Sequence, residues 1–196
     1  MTLARTTLDP AAEARLVALV AQVRASPDTL PGAFARAARA VGRGPGPGGH
    51  AVQDVARVRL LVAATQGAGP DGTAAVADDL YRTGDADERR AVLLALPDLD
   101  VGDAAVPLLH DALRTNDSRL VAAAMGPYAA AHLPDDAWRH GVLKCLFTGV
   151  PLAVVADLPA RRDAELDRMV AAYAAERRAA GRDVPADALD LLATTP

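Results

Sequence analysis

The chain of 196 residues carries 21 Lys and Arg against 25 Asp and Glu, a net charge of −4. Its arginines are scattered or set beside acids, as in Glu88-Arg89-Arg90 and Glu176-Arg177-Arg178, which excludes the basic stripe of a nucleic-acid binder. One cysteine permits no internal disulfide. Aromatics are only 3% of a chain that is 51% hydrophobic, so Ala, Leu and Val must fill the interior, and such small side chains let helices approach closely. The opening MTLARTTLDPAAEARL lacks the order of a signal peptide, and no apolar run reaches the length of a membrane span. The expectation is a cytoplasmic protein without direct membrane insertion.

Helical signals follow one another along the chain with no convincing strand. Asp9-Pro10 places an N-cap before a proline at the first helical position, and Leu16, Leu19, Val20 and Val23 keep helical spacing. A second helix over PGAFARAARAVG ends at Gly42. GRGPGPGG, residues 42–49, is too rich in Gly and Pro for regular structure and reads as a flexible connection. AVQDVARVRLLVAATQ predicts a third helix stopped by GAGPDG, and TAAVADDLYRTG a fourth. Asp85 with Glu88 has the form of a capping box before DERRAVLLAL. AAVPLLHDALRTN follows, with Pro107 in the first turn, then SRLVAAAM and PYAAAHL. In RTND, Asn116 suits a left-handed helix end and Asp117 the next helix start. AWRHGVLKCLF is a helix capped by Asp135 or Asp136. DAELDRMVAAYAAERRAAG is the last long helix, with Arg177 and Arg178 in its final turn, and VPADALDLL adds a short one.

Short connections between helices of about three turns imply an all-α fold of stacked antiparallel hairpins, HEAT-like, in a single domain. The expected organisation is an N-terminal hairpin over residues 1–41, the glycine-rich loop 42–49 and a main helical domain over 50–196.

One stretch stands apart. VLKCLF holds the only lysine, Lys144, beside the only cysteine, Cys145. On a helical wheel Trp138, Val142, Cys145, Leu146 and Gly149 share one side, widened by Leu143, Phe147 and Val150. A narrow polar strip remains: Asp136, His140, Lys144 and Thr148, four residues apart. The strip is either a thin solvent-facing stripe of i, i+4 neighbours or the lining of a polar slot. In the second case Lys144 would hold an anion or a carbonyl, and it is the one candidate for a catalytic group. Cys145 belongs to the apolar side as a core residue. His132, Asp135, Asp136 and His140 match no zinc spacing, and Asp at a helix start is ordinarily a cap; no metal or cofactor is assigned.

The order of motifs HDALRTND, Gly126-Pro127-Tyr128, AAHLPDDAWRHGVLKCLFTGVPL and ELDRMVAAYAAERRAAGRDVP resembles the EboA-domain family over residues 85–186. The resemblance implies a helical component of Ebo gene clusters. These also encode a UbiA-like membrane prenyltransferase, a TatD-like hydrolase, a sugar-phosphate-isomerase-like barrel and a sugar-cyclase-like protein. It implies a role in making or moving a secondary-metabolite precursor, with other pathway proteins, the prenyltransferase or a small-molecule intermediate as partners. The family pattern falls on Arg114, Asn116, Tyr128, Lys144, Tyr173 and Arg177 among others. Two departures are Gly126, where the family leads one to expect Asn, and His140-Gly141, where it leads one to expect Gln-Met. Lys144 is kept in a chain that otherwise uses Arg, as though the position required an amine rather than a guanidinium fork.

Two functions compete on this reading. The leading one is a non-catalytic scaffold or carrier presenting helical surfaces. The alternative is a small enzyme or ligand-binding protein in which Lys144, Arg114 and Asn116 share a pocket, with Tyr128 or Tyr173 as proton donor and His140 and Arg177 nearby.

Overall fold

In the computed structural model, which describes residues 3–194, twelve α-helices and several single 3-10 turns follow one another. No strand occurs among the described residues, only an isolated antiparallel bridge between Pro45 and Ala51. The fold is all-α, as the helical periodicity predicts, and no described helix is long and apolar enough to cross a membrane. The chain divides into two compact units, one up to Leu108 and one from Leu109.

The first unit contains α1 (Pro10–Ala25), α2 (Leu30–Val41), α3 (Val52–Ala64), α4 (Gly69–Thr83) and α5 (Ala86–Ala95). Helix α3 is its centre, packed against α1, α2, α5 and the N-terminal turn Leu3–Arg5. Nine of its thirteen residues are buried, so it has no solvent face in the usual sense. Helix α2 meets it through small side chains, Ala33 and Ala37 both fully buried beside Phe34. The Asp9 carboxylate accepts from Ala11 N and Ala12 N, and the capping box between Asp85 and Glu88 closes in both directions.

The glycine-rich segment 42–49, read from sequence as a flexible connection, has a defined course. Gly46 N donates to His50 O at 2.7 Å and Val52 N to Gly44 O at 3.0 Å. A Cβ on Gly46 would stand 2.9 Å from His50 O, so the close approach requires glycine there. GAGPDG, read as a stop, also differs. Gly69 and Pro70 open α4, because proline needs no N–H donor in a first turn.

The second unit contains α7 (Ser118–Ala124), α8 (Pro127–His132), α9 (Asp135–Thr148), α10 (Leu158–Arg161), α11 (Ala164–Ala179) and α12 (Ala186–Ala193). The division of the chain falls within α6 (Val106–Arg114). Helix α9 packs against α7 and α11, and α11 against α12. Trp138, Val142, Cys145 and Leu146 are buried, as the wheel predicts. Phe147, placed in the apolar arc, is instead 61% exposed and rests edge-on against Tyr173 with ring centroids 4.8 Å apart. Helix α9 is not capped by either aspartate. Both lie inside its first turn, behind Pro134, and no side chain accepts its leading N–H groups. Asn116 is not left-handed; the one described non-glycine residue with positive φ is Asp157, at 55°. Asp117 does cap α7, accepting from Arg119 N at 2.9 Å.

Arg161 ties this unit together. Its guanidinium donates to the carbonyls of Ala129, Ala130 and Leu133 at 2.9–3.1 Å and to Asp135 at 2.7 Å, and lies 4.8 Å above the Trp138 ring. The last carbonyls of α8 thus gain donors from outside the helix.

Gly141 sits where α9 meets the buried Met125. A Cβ there would come within 2.9 Å of Met125 Cε and closer still to its sulfur. Gly141→Val is expected to lower stability by about 1–3 kcal/mol through overpacking, seen as a lower urea midpoint at unchanged slope. Met125→Ala in the same chain should recover part of that loss rather than add to it, a non-additivity that a double-mutant cycle reads directly.

Candidate functional site

Lys144 projects from the middle of α9 at a half-buried position, and its Nζ donates to Asn116 Oδ1 at 2.9 Å. Asn116 stands in the turn between α6 and α7, so the contact joins residues 28 apart in sequence. The partner is an uncharged oxygen. No carboxylate among the described residues forms an ion pair with the ammonium, so its positive charge is oriented without being neutralised.

Around this pair the polar strip of α9 is half turned upon itself. Thr148 Oγ1 donates to Lys144 O at 2.8 Å. His140 Nδ1 lies 2.9 Å from Asp136 O; a carbonyl can only accept, so Nδ1 carries the proton and Nε2 faces outward. The side chains of His140 and Asp136 are 64% and 84% exposed. The strip is therefore an open stripe rather than the wall of an internal slot.

The other residues singled out from sequence are placed as follows. Arg114 is exposed and turned towards Asp111 at 3.0 Å, so it does not complete a triad with Lys144 and Asn116. Tyr128 is buried in α8 and stacked on His132, ring centroids 4.3 Å apart. Tyr173 is buried and donates to Leu146 O at 3.3 Å; Arg177 lies 6.0 Å over its ring and donates to Asp183 O. Tyr173 thus supports the back of α9 rather than its polar stripe. Two surface recesses are defined elsewhere. One of about 280 Å³ lies between α1 and α3, with Arg24 and Arg59 on its rim. One of about 240 Å³ lies between the end of α9 and the start of α12.

Two side chains that sequence reasoning passed over, Arg139 and Asp163, shape the electrostatics of α9. Arg139 is only 18% exposed and pairs with Asp163. Asp163 also caps α11 through Leu166 N at 2.9 Å. The Arg139 guanidinium and that backbone donor together hold the Asp163 carboxyl below the usual carboxylate range. Cys145 behaves in the opposite sense: burial pushes its thiol up to about 12, which removes it as a nucleophile near neutrality.

What fold and site define is an all-α protein that displays one tethered amine and hides its one thiol. The chain belongs to the EboA family: the family model described as "Metabolite traffic protein EboA" matches residues 23–193. That match takes in the first unit from the end of α1 onward, more of the chain than the motifs from 85 to 186 reveal. No curated protein and no solved structure matches the chain.

Two outcomes are expected here. Because the folded pKa of Asp163 is depressed, its charge contribution is complete above the unfolded value of about 4 and is lost as pH falls through the lower folded value. Asp163→Asn keeps a capping oxygen and loses the charge, so its stability deficit at pH 7 should close in acid. Asp163→Ala loses the cap as well and should cost about 1–2 kcal/mol at neutral pH; urea melts from pH 2 to 7 distinguish the two. Cys145 should resist iodoacetamide at pH 7.5 in the native protein and be alkylated once urea unfolds it, with mass spectrometry counting the adduct.

Proposed function

We propose that the chain is a non-catalytic carrier or scaffold of an Ebo-type secondary-metabolite pathway, engaging a partner or an anionic intermediate through the Lys144–Asn116 pair. The observation that supports this reading is the oriented, uncompensated ammonium on an open stripe. An exposed hydrogen bond of this kind contributes about 0–1 kcal/mol to stability, too little for the contact to be explained by folding alone. Held by a neutral amide, the charge stays available to an incoming carboxylate or phosphate, and Asn116 limits the rotamers the amine must give up on binding. The family description, a metabolite traffic protein, agrees with carriage rather than conversion. The partners we have in mind are other pathway proteins, a UbiA-like membrane prenyltransferase among them, and the setting is the cytoplasm.

The second reading makes Lys144 part of an enzyme or a closed ligand pocket. The Lys144–Asn116 contact favours it, while the orientation of Arg114 towards Asp111 leaves such a site without its guanidinium.

Lys144→Met should fold with a stability within about 0.5 kcal/mol of the wild type, as surface changes do. It should fail to restore product formation in a strain lacking the native gene, and it should lose partners that co-purify with the wild type from a host expressing the neighbouring genes. Lys144→Arg keeps the charge and should restore most of both if docking is electrostatic. Full complementation by Lys144→Met removes the pair from the function.

A further inference from the structure

Helices α1 and α3 leave a recess of about 280 Å³ between them, with Ala4 of the N-terminal turn also on its wall. Helix α1 contributes Val17, Val20, Ala21 and Arg24, spaced i, i+3, i+4 and i+7, which places them in one stripe. Helix α3 contributes Arg59, Val62 and Ala63 at the same helical spacing. Apolar side chains thus make the middle of the recess, and each helix adds one arginine. Val17 is 52% exposed. A valine at a convex surface calls for no explanation, but this one borders a concavity.

The two arginines differ in electrostatic state. Arg59 is committed to Glu13: its Nη1 donates to Oε2 and its Nη2 lies beside Oε1, both at 2.8 Å, and Nη1 also reaches Thr6 O at 3.4 Å. The Arg59 guanidinium, helped by the N–H of Leu8, holds the Glu13 carboxyl below its ordinary value. Glu13 therefore stays ionised and cancels the Arg59 charge. Arg24 is exposed and has no hydrogen bond or ion pair among the described residues. Glu13 lies in the first turn of α1 and Arg24 in its last, about 16 Å apart along the axis. The recess accordingly has a neutralised end and an end with one free positive charge. Standing in the last turn, Arg24 complements the macrodipole of α1, a role that leaves its N–H donors unused.

We propose that this recess binds a small monocarboxylic acid with an apolar body, the carboxylate on Arg24 and the body along the valine and alanine walls of α1 and α3. One guanidinium carries one charge and a fork of donors that matches the two oxygens of a carboxylate. A phosphate dianion calls for a second cation, and the second one here is taken by Glu13. The reverse orientation would set the ligand's carboxylate beside that of Glu13, so charge fixes which way the molecule lies. At roughly 30 Å³ for each water-sized group, the volume holds about nine non-hydrogen atoms. That is enough for one ring or one short chain and too little for a two-chain lipid. The site lies in the first unit and neither uses nor depends on Lys144 in the second.

The test follows the methyl resonances of the full-length protein, labelled with ¹³C at valine, as sodium octanoate is added at pH 7 below its micellar concentration. Signals of Val17, Val20 and Val62, assigned from Val17→Ile, Val20→Ile and Val62→Ile, should shift and saturate together. Val142 and Val170, fully buried in the second unit, should stay fixed. 1-Octanol should bind at least fivefold more weakly, and octyl phosphate no more tightly than octanoate. Arg24→Gln, a surface change that should fold, should weaken octanoate at least fivefold. Ala21→Trp, at an exposed position, fills the recess while keeping Arg24 and should abolish the shifts. Lys144→Met should leave them unchanged. Equal binding of octanol, or wild-type affinity in Arg24→Gln, removes the charge from recognition and overturns the proposal. Shifts spread over valines of both units, persistence in Ala21→Trp, or loss in Lys144→Met overturn the site, and tighter binding of octyl phosphate overturns the choice of a carboxylate.

Discussion

A helix buried over most of its circumference leaves its inward polar residues nowhere to go, and α3 imposes that constraint on the first unit. Its apolar positions, Val55, Ala56, Val58, Leu60 and Leu61, are fully buried, and they fix α1, α2 and α5 around it. The polar positions between them must then find partners inside. Asp54 takes an arginine from α5, while Arg57 takes a backbone carbonyl and an aromatic face from α2. Breaking either arrangement by removing one partner would strand the other, which costs far more than the intact pair contributes. The packing of the neighbours and the chemistry of the interior therefore depend on the same thirteen residues.

Elsewhere several arginines act as helix terminators. Arg161 closes the end of α8 with three carbonyls, Arg15 reaches Ala40 O near the end of α2, and Arg162 reaches Leu191 O in α12. A planar fork with five donors can serve several open carbonyls at once, which gives a structural reason for a chain that has 21 basic residues and only one lysine. Lys144 does none of this. Its single contact is one side-chain oxygen across a turn, and that difference in use sets it apart more firmly than its rarity does.

Helix positions were legible because their signals are local. Asp9-Pro10, the Asp85–Glu88 box, Asp117 and Gly42 act within a few residues of themselves, and each stands where its spacing places it. The start of α9 was misread because two aspartates behind a proline look like caps, while Asp135 is drawn to Arg161 across 26 residues. Spacing likewise could set Lys144, Arg114 and Asn116 near one another without saying which would meet. Rotamers settled that, and Arg114 found Asp111 one turn away. Arg57 escaped notice because an arginine on a periodic helix is ordinarily at the surface. The hint was Gln53, Asp54 and Arg57 in a helix whose remaining positions are apolar all round.

Met125 and Gly141 share one volume: the thioether of the first lies where a side chain on the second would begin. The family pattern leads one to expect a methionine at position 141, and in this chain Met125 fills that space from the other side. The packing limits bulk at these two positions as a sum, so a side chain gained at position 141 of α9 must be offset by a smaller one at position 125. The two columns of a family alignment should accordingly vary in opposition.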